Sequence, residues 1–483
     1  MIRYRAIARI LSQFLLALAA VMLIPFGYGY FISADGVWEI GITALITTTS
    51  GIILWLVSSP IQRDFTQREG LFLVVLIWVF IPLFGCLPLY FSPQFPSFTD
   101  SFFESVSGFT TTGATVLTDI ESLPEPLQLW RCFSHWLGGM GIVLLGIAIL
   151  PLVGHGGMHL YRAEFSGAKS EKLKPRFLET VVSLGKIYLG LSLSAFLLLR
   201  VLGMSYFDAI CHTFSVVATG GFSSRNTSIA SFSNPAIEYT IIFLMMLSAI
   251  SFVQHYRFWV ERRLRSFFVD IETRFFLCII ACASLVLTVL FVFYDGTVLE
   301  AAFRSALFQI TSITTGTGFT TENFALWHPF AQLVLLVLMF AGGCTGSTAG
   351  GMKISRVLLL TRVVSREFKR MVERRGIFTV RFGNAVIPET TIQSLLNLVY
   401  IALFINLTSC MLLTAMGVDV LTSIAAVVAS MFNVGPGLGS VGPTQNYGHL
   451  PTLAKWVLSF CMIAGRLEFY TVLVIFTPSF WRK

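Results

Sequence analysis

Ser107-Gly108-Phe109-Thr110-Thr111-Thr112-Gly113-Ala114-Thr115 lies within apolar sequence, yet it is neither apolar nor a good helix former. Backbone without helical hydrogen bonds is tolerated at membrane depth only where it is buried in protein or lines a wet cavity. The stretch recurs. Val217-Ala218-Thr219-Gly220-Gly221-Phe222 repeats it, as does Thr314-Thr315-Gly316-Thr317-Gly318-Phe319, and Asn433-Val434-Gly435-Pro436-Gly437 is a fainter copy. Aligned on the first glycine of each copy, Gly113, Gly220, Gly316 and Gly435 fall roughly 100 to 120 residues apart, a period that points to an internally repeated architecture.

The surrounding chain is membrane-like. Its 483 residues are 55% hydrophobic and 12% charged, against about 25% charged in a soluble protein. The net charge of +8 does not indicate nucleic acid, because the basic runs lie between hydrophobic spans, as they do in loops held on the cytoplasmic side. The eight cysteines form no C-x-x-C pair and read as small buried hydrophobes, with Cys278 and Cys282 on one helical face. Arg3, Arg5 and Arg9 precede a long apolar run that ends near Pro25 without a clear cleavage site. It reads as a retained span with a cytoplasmic N-terminus, followed by a second span over 40–58 and by Arg63 and Arg68 inside.

From there one unit is used four times: a span, a short segment, a Thr/Gly stretch and a second span. The short segments, Phe98–Ser107, Tyr206–Val217, Leu299–Ile313 and Val420–Phe432, are too short for a crossing that needs about 20 residues. They are expected to be re-entrant half-helices. Each unit crosses twice, so all four share one orientation about a common axis. The expected organisation is all-α: two N-terminal helices over 1–68, then repeats over 69–160, 161–260, 261–385 and 386–483. The second spans of repeats two and four are expected at 236–257 and 453–476. Both termini fall inside, and acidic residues such as Asp100, Glu104, Asp119 and Asp208 would form an outer mouth that concentrates cations.

Four such loops in one chain make one pore. A bare cation must replace its water shell, and rings of backbone carbonyls do so in K⁺ channels. Glycine supplies the backbone angles, threonine hydroxyls extend the ladder, and each half-helix points its negative C-terminal end at the centre. The residues singled out for this filter are Thr111, Thr112, Gly113, Ala218, Thr219, Gly220, Thr314, Thr315, Gly316, Asn433, Val434 and Gly435, with K⁺ held by their backbone carbonyls. One aligned glycine per loop predicts fewer ion sites than in a K⁺ channel. The second span of the third unit is broken by Ala341-Gly342-Gly343-Cys344-Thr345-Gly346-Ser347-Thr348-Ala349-Gly350-Gly351. This stretch is too glycine-rich for a lipid-facing helix and reads as a movable plug beneath the filter, bearing Gly342, Gly343, Gly346, Gly350 and Gly351. It is not a phosphate loop, since Met352 stands where the lysine belongs and Lys353 comes one residue late. Arg466, inside the last span, reads as an electrostatic barrier below the filter; the alternative is a structural ion pair with Glu468. Lys353 is similar. Gly138, Gly139 and Gly141 read as helix-packing residues, and His135, His212 and Trp136 show no ligand spacing.

These features together resemble the Trk/Ktr/HKT superfamily of K⁺ transporters, most nearly its bacterial TrkH branch with two extra N-terminal spans. The resemblance carries the four span–half-helix–span units, the SGFTTTGAT loop, the AGGCTGSTAGGMK break and the Gly465-Arg466-Leu467-Glu468 run. It implies K⁺ uptake across the bacterial inner membrane through one central pore, a homodimer, and control of an intramembrane gate loop by a cytoplasmic nucleotide-binding regulatory subunit of TrkA type. It implies membrane lipid but no nucleic acid and no cofactor in this chain. Glycine rather than serine at 113 matches the K⁺-selective members. The basic segments 162–186 and 353–381 are candidate docking surfaces for the regulatory partner. A Na⁺-permeable or H⁺/Na⁺-coupled K⁺ symporter stays open, as does a membrane receptor whose repeats only pack. No nucleophile–base set, metal cluster or phosphate loop points to an enzyme.

Overall fold

Thr66 starts the first repeat by accepting a hydrogen bond from the Glu69 backbone N–H, and Thr66 N donates in turn to the Glu69 carboxylate. That reciprocal cap satisfies two of the amides a helix start leaves free. Glu69 also takes the Arg3 guanidinium at 2.8 Å, which ties the beginning of α1 (Tyr4–Phe31) to α3 (Gln67–Gly85). α1 turns through Gly36 and packs along α2 (Val37–Val57). The computed structural model describes residues 2–60, 65–153, 173–263, 265–383 and 385–482. Arg63, the 160/161 repeat boundary and the first part of the basic 162–186 segment lie outside them.

The four half-helices are α4 (Phe98–Phe109), α7 (Tyr206–Val217), α11 (Leu299–Thr314) and α15 (Val420–Met431). Ser97, Ser205 and Asp419 each cap one by accepting the backbone N–H three residues on. At 12 to 16 residues and about 1.5 Å per residue, none spans a core of roughly 30 Å. Each is flanked by a long helix before it, such as α6 (Leu173–Val201), α10 (Ile271–Tyr294) and α14 (Glu389–Ala415). Among the described residues, six helices are long and apolar enough to cross a membrane, or eight if each of two bent pairs is one span. The protein is therefore an all-α multi-pass membrane protein.

The second spans differ from one another. In the first repeat α5 (Glu125–Val153) runs unbroken. The expected continuous spans over 236–257 and 453–476 are both corrected. In the second repeat α8 (Pro235–Ala249) turns by 98° into α9 (Phe252–Trp259). In the fourth, α16 (Thr452–Arg466) turns by 112° into the segment Tyr470–Phe476. The breaks have causes. Ile250 is extended, and the backbone groups it frees bond to the third repeat: Cys344 N donates to Ala249 O and Phe252 N to Gly346 O, both at 2.9 Å. At the other break Glu468 and Phe469 are left-handed. In the third repeat α12 (Pro329–Met339) gives way to irregular chain until α13 (Ile354–Val372), as its glycine content requires.

A short hairpin, β1 (Arg381–Phe382) against β2 (Ala385–Val386), was not legible in the sequence. Its Val380, Phe382 and Ile387 pack on Leu358, Leu359 and Val363 of α13. The expected repeat boundary at 385/386 lies within β2, three residues before Pro388, which precedes α14. Of the cysteines, Cys278 and Cys282 are exposed with sulfurs 3.9 Å apart, and the other six are buried or half-buried.

Candidate ion-conducting site

All four half-helices end in one register. Thr112 N donates to Ser107 O, Gly220 N to Ser215 O, Thr317 N to Ser312 O and Val434 N to Ala429 O, at 2.8–2.9 Å. The residues just before them, Thr111, Thr219, Gly316 and Asn433, are left-handed with φ of 52°, 52°, 69° and 54°. The residues just after them, Gly113, Gly221, Gly318 and Gly435, are left-handed again with φ of 83°, 85°, 80° and 98°. The equivalent triplets are therefore Thr111-Thr112-Gly113, Thr219-Gly220-Gly221, Gly316-Thr317-Gly318 and Asn433-Val434-Gly435.

This corrects the alignment made on first glycines. Gly220 and Gly316 are loop residues, but they are not the counterparts of Gly113 and Gly435; Gly221 and Gly318 are. Thr314 is the last residue of α11, and Thr315 takes the helix-end position of Thr110, Ala218 and Phe432. One signal could have found this register: an apolar residue follows each true counterpart, as Ala114, Phe222, Phe319 and Pro436.

The four glycines close a ring. A Cβ on Gly113 would lie 2.2 Å from Gly220 O, one on Gly221 2.0 Å from Thr317 O, one on Gly318 2.2 Å from Val434 O, and one on Gly435 2.6 Å from Thr112 O. Each repeat thus presses its glycine on the carbonyl just before the glycine of the next, and the fourth returns to the first. No side chain fits at these contacts. The threonine hydroxyls pair within repeats one and three, Thr110 with Thr112 and Thr315 with Thr317, each at 2.7 Å. Asn433 Nδ2 donates to Thr112 Oγ1 at 2.9 Å and links repeats four and one. Packing glycines serve the same end. A Cβ on Gly138 or Gly465 would meet Phe109 O or Met431 O within 2 Å, so α5 and α16 lie against the ends of α4 and α15.

The glycine-rich stretch 341–351 lies directly against the ends of two half-helices. Gly351 N donates to Phe432 O at 2.9 Å, and a Cβ on Gly350 would lie 2.4 Å from the same oxygen. Thr348 Oγ1 bonds Val217 O and Ser248 O, each at 3.1 Å. Gly342 and Gly351 cross where a Cβ on Gly351 would sit 2.3 Å from Gly342 Cα. Gly343 and Gly346 approach Ala249 O and Ser251 Oγ. Lys353, itself left-handed, donates its ammonium to Ala349 O. Gly316 faces this loop: the atoms nearest its vacant Cβ position are Asn433 O and Gly350 N. Threonine occupies the equivalent place in repeats one and two and asparagine in repeat four, so backbone angle does not account for glycine here.

Arg466 is 4% exposed, and its Nη1 donates to Thr348 O at 2.9 Å. The alternative of an ion pair with Glu468 is overturned, because Glu468 pairs with Arg356. The gate residues named from sequence are thus brought together. Glu272, which the sequence reading missed, clamps the loop. Its Oε1 accepts Thr345 N at 2.7 Å and Ser355 N at 3.1 Å, near the two ends of the break. Glu272→Ala is expected to orphan both amides, at about 1–3 kcal/mol each, and to lower the thermal unfolding midpoint of the detergent-solubilised protein. Glu272→Gln, which keeps an acceptor oxygen, is expected to lower it less. Equal midpoints for both variants would show that the carboxylate does not brace this stretch.

Three carboxylates of the expected acidic mouth are paired with basic side chains. Asp100 pairs with Lys455 at 2.5 Å, Glu104 with Arg131 at 2.7 Å and Asp208 with Arg225 at 2.8 Å. Asp119 remains in the outer loop, its carboxyl held below the usual carboxylate range by the Asn226 amide.

The family model of TrkH, described as a cation transport protein, matches residues 40–483. The chain is 40% identical over 485 residues to the Trk system potassium uptake protein TrkH of Halomonas elongata, covering 99% of each. It is 38% identical over 487 residues to that of Escherichia coli, covering 99% of this chain and all of the other. The crystal structure of the potassium transporter TrkH from Vibrio parahaemolyticus superposes with a TM-score of 0.93 at 35% identity over the full length of both chains.

Proposed function

Because the chain belongs to the TrkH family of cation transport proteins and is a Trk-type potassium uptake transporter, we propose that K⁺ passes through the ring of loops around Gly113, Gly221, Gly318 and Gly435. Backbone carbonyls stand in for the water around the ion, and the C-terminal ends of the half-helices favour positive charge there. The loop 341–351, with Lys353, is the gate, and Arg466 is the barrier beneath the ring. The observation that carries this reading is the closed contact of each glycine with the next repeat's carbonyl.

The same reading gives the assembly. The relatives are named for a Trk system, which supports a cytoplasmic nucleotide-binding regulatory subunit acting on α13, the basic helix that continues from the gate loop. A second copy of the chain, placement in the inner membrane and cytoplasmic termini belong to the same proposal. The test is uptake of Rb⁺, K⁺ and Na⁺ by cells lacking their own K⁺ uptake systems. Rb⁺ and K⁺ uptake well above Na⁺ is expected. Na⁺ uptake without Rb⁺ uptake would reject the reading in favour of a sodium pathway.

A further inference from the structure

Five residues before the last residue of each half-helix, at 104, 212, 309 and 426, one position decides how the segment beyond the ring is held. Glu104 Oε2 accepts Val116 N, and its Oε1 accepts Thr115 Oγ1, both at 2.9 Å. His212 Nε2 lies 2.9 Å from Ser223 Oγ. Gln309 Nε2 donates to Thr321 Oγ1 at 3.2 Å. In the fourth repeat the position is Ala426, which has nothing to offer. There Tyr447 comes in from the outer loop and donates its hydroxyl to Gly435 O at 2.8 Å, while Tyr447 N donates to Thr115 O at 2.8 Å. All four side chains, Glu104, His212, Gln309 and Tyr447, are buried to 2% exposure or less.

The first brace also reaches the second loop. Arg131, buried against Glu104, lays its guanidinium 3.9 Å over the ring of Phe222, the residue after Gly221. His135, one turn along α5, stacks on the same ring with centroids 4.0 Å apart. His135 and His212, assigned no chemistry from spacing, therefore both stand behind the ring.

We infer that Glu104, His212, Gln309 and Tyr447 are positioning residues that set the spacing of the ring carbonyls and hence the preference for K⁺ over Na⁺. The inference rests on the ring being the filter. Discrimination by carbonyls depends on the number, field and spacing of the oxygens, and loops with no regular hydrogen bonding cannot hold a spacing by themselves. Buried polar groups there need partners: Glu104 and Tyr447 bond the backbone at Val116 N and Gly435 O, and His212 and Gln309 bond the hydroxyls of Ser223 and Thr321 just beyond the ring.

The experiment measures initial Rb⁺ and Na⁺ uptake by the full-length protein in cells lacking other K⁺ uptake, normalised to the amount in the membrane. Tyr447→Phe removes one hydroxyl without changing shape. It is expected to retain Rb⁺ uptake and to lower the Rb⁺/Na⁺ ratio about threefold to tenfold, the range that losing one buried hydrogen bond allows. Glu104→Gln and Gln309→Leu are expected to lower the ratio too, and Gln309→His, which restores a ring nitrogen like that of His212, to recover it. A purely structural role would reduce both ions alike and leave the ratio where it was. An unchanged ratio in both Tyr447→Phe and Glu104→Gln overturns the inference while the filter reading stands. Absence of any Rb⁺ preference in the unaltered protein overturns the filter reading itself.

Discussion

Gly318→Ala is expected to abolish potassium uptake, whereas Gly316→Ala, two residues earlier, is expected to keep readily measurable uptake. A Cβ at 318 would stand 2.2 Å from Val434 O, and φ there is +80°. The obstacle is backbone of another repeat, itself locked to Ala429, so nothing flexible can give way. At 316 the nearest atom is Asn433 O at 3.0 Å. The backbone angle is one that Thr111, Thr219 and Asn433 already adopt in the sister loops, so alanine costs about 1–2 kcal/mol of left-handed strain and a small adjustment against Asn433 O. Rb⁺ uptake at matched membrane expression measures both. The reverse order, with Gly316→Ala dead and Gly318→Ala active, would restore the alignment on first glycines and dismantle the ring described above.

Arg466→Ala is expected to raise the rate of Rb⁺ flux and to weaken its regulation. Two effects act together. The guanidinium holds Thr348 O, so its loss frees the loop that lies against Phe432 and Val217. It is also a buried positive charge: an ion passing about 5 Å from it at an effective dielectric of about 20 meets roughly 3 kcal/mol of repulsion, on the order of a hundredfold in rate. Arg466→Lys keeps the charge and is expected to recover part of the barrier, while shortening 341–351 is expected to raise flux with Arg466 in place. Slower flux in a folded Arg466→Ala protein would mean that the residue supports the pore and does not obstruct it.

Much of this site was legible before any coordinates. The half-helices were bounded to within two residues, because segments such as Tyr206–Val217 are amphipathic runs too short to cross and closed by Thr/Gly chain. The helix break at 341–351 was legible because Gly342, Gly343, Gly346, Gly350 and Gly351 cannot form a helix in lipid. The partners of that loop were not. Glu272 lies far away in sequence, and nothing local in α10 marks its carboxylate as the clamp for Thr345 and Ser355. The ion pairs at the outer side were not legible for the same reason, since Lys455 and Arg131 reach Asp100 and Glu104 from distant helices.

The sequence by itself determined that four like hairpins surround one polar centre, because period, span length and glycine content are properties of the chain read locally. Only the tertiary structure decided which glycine of each loop belongs to the ring. Threonine, asparagine and glycine all occupy the first left-handed position, so residue type does not announce the register. What forbids a side chain at Gly113, Gly221, Gly318 and Gly435 is a carbonyl from the neighbouring repeat, and that oxygen arrives from distant sequence only once the repeats have closed around the pore.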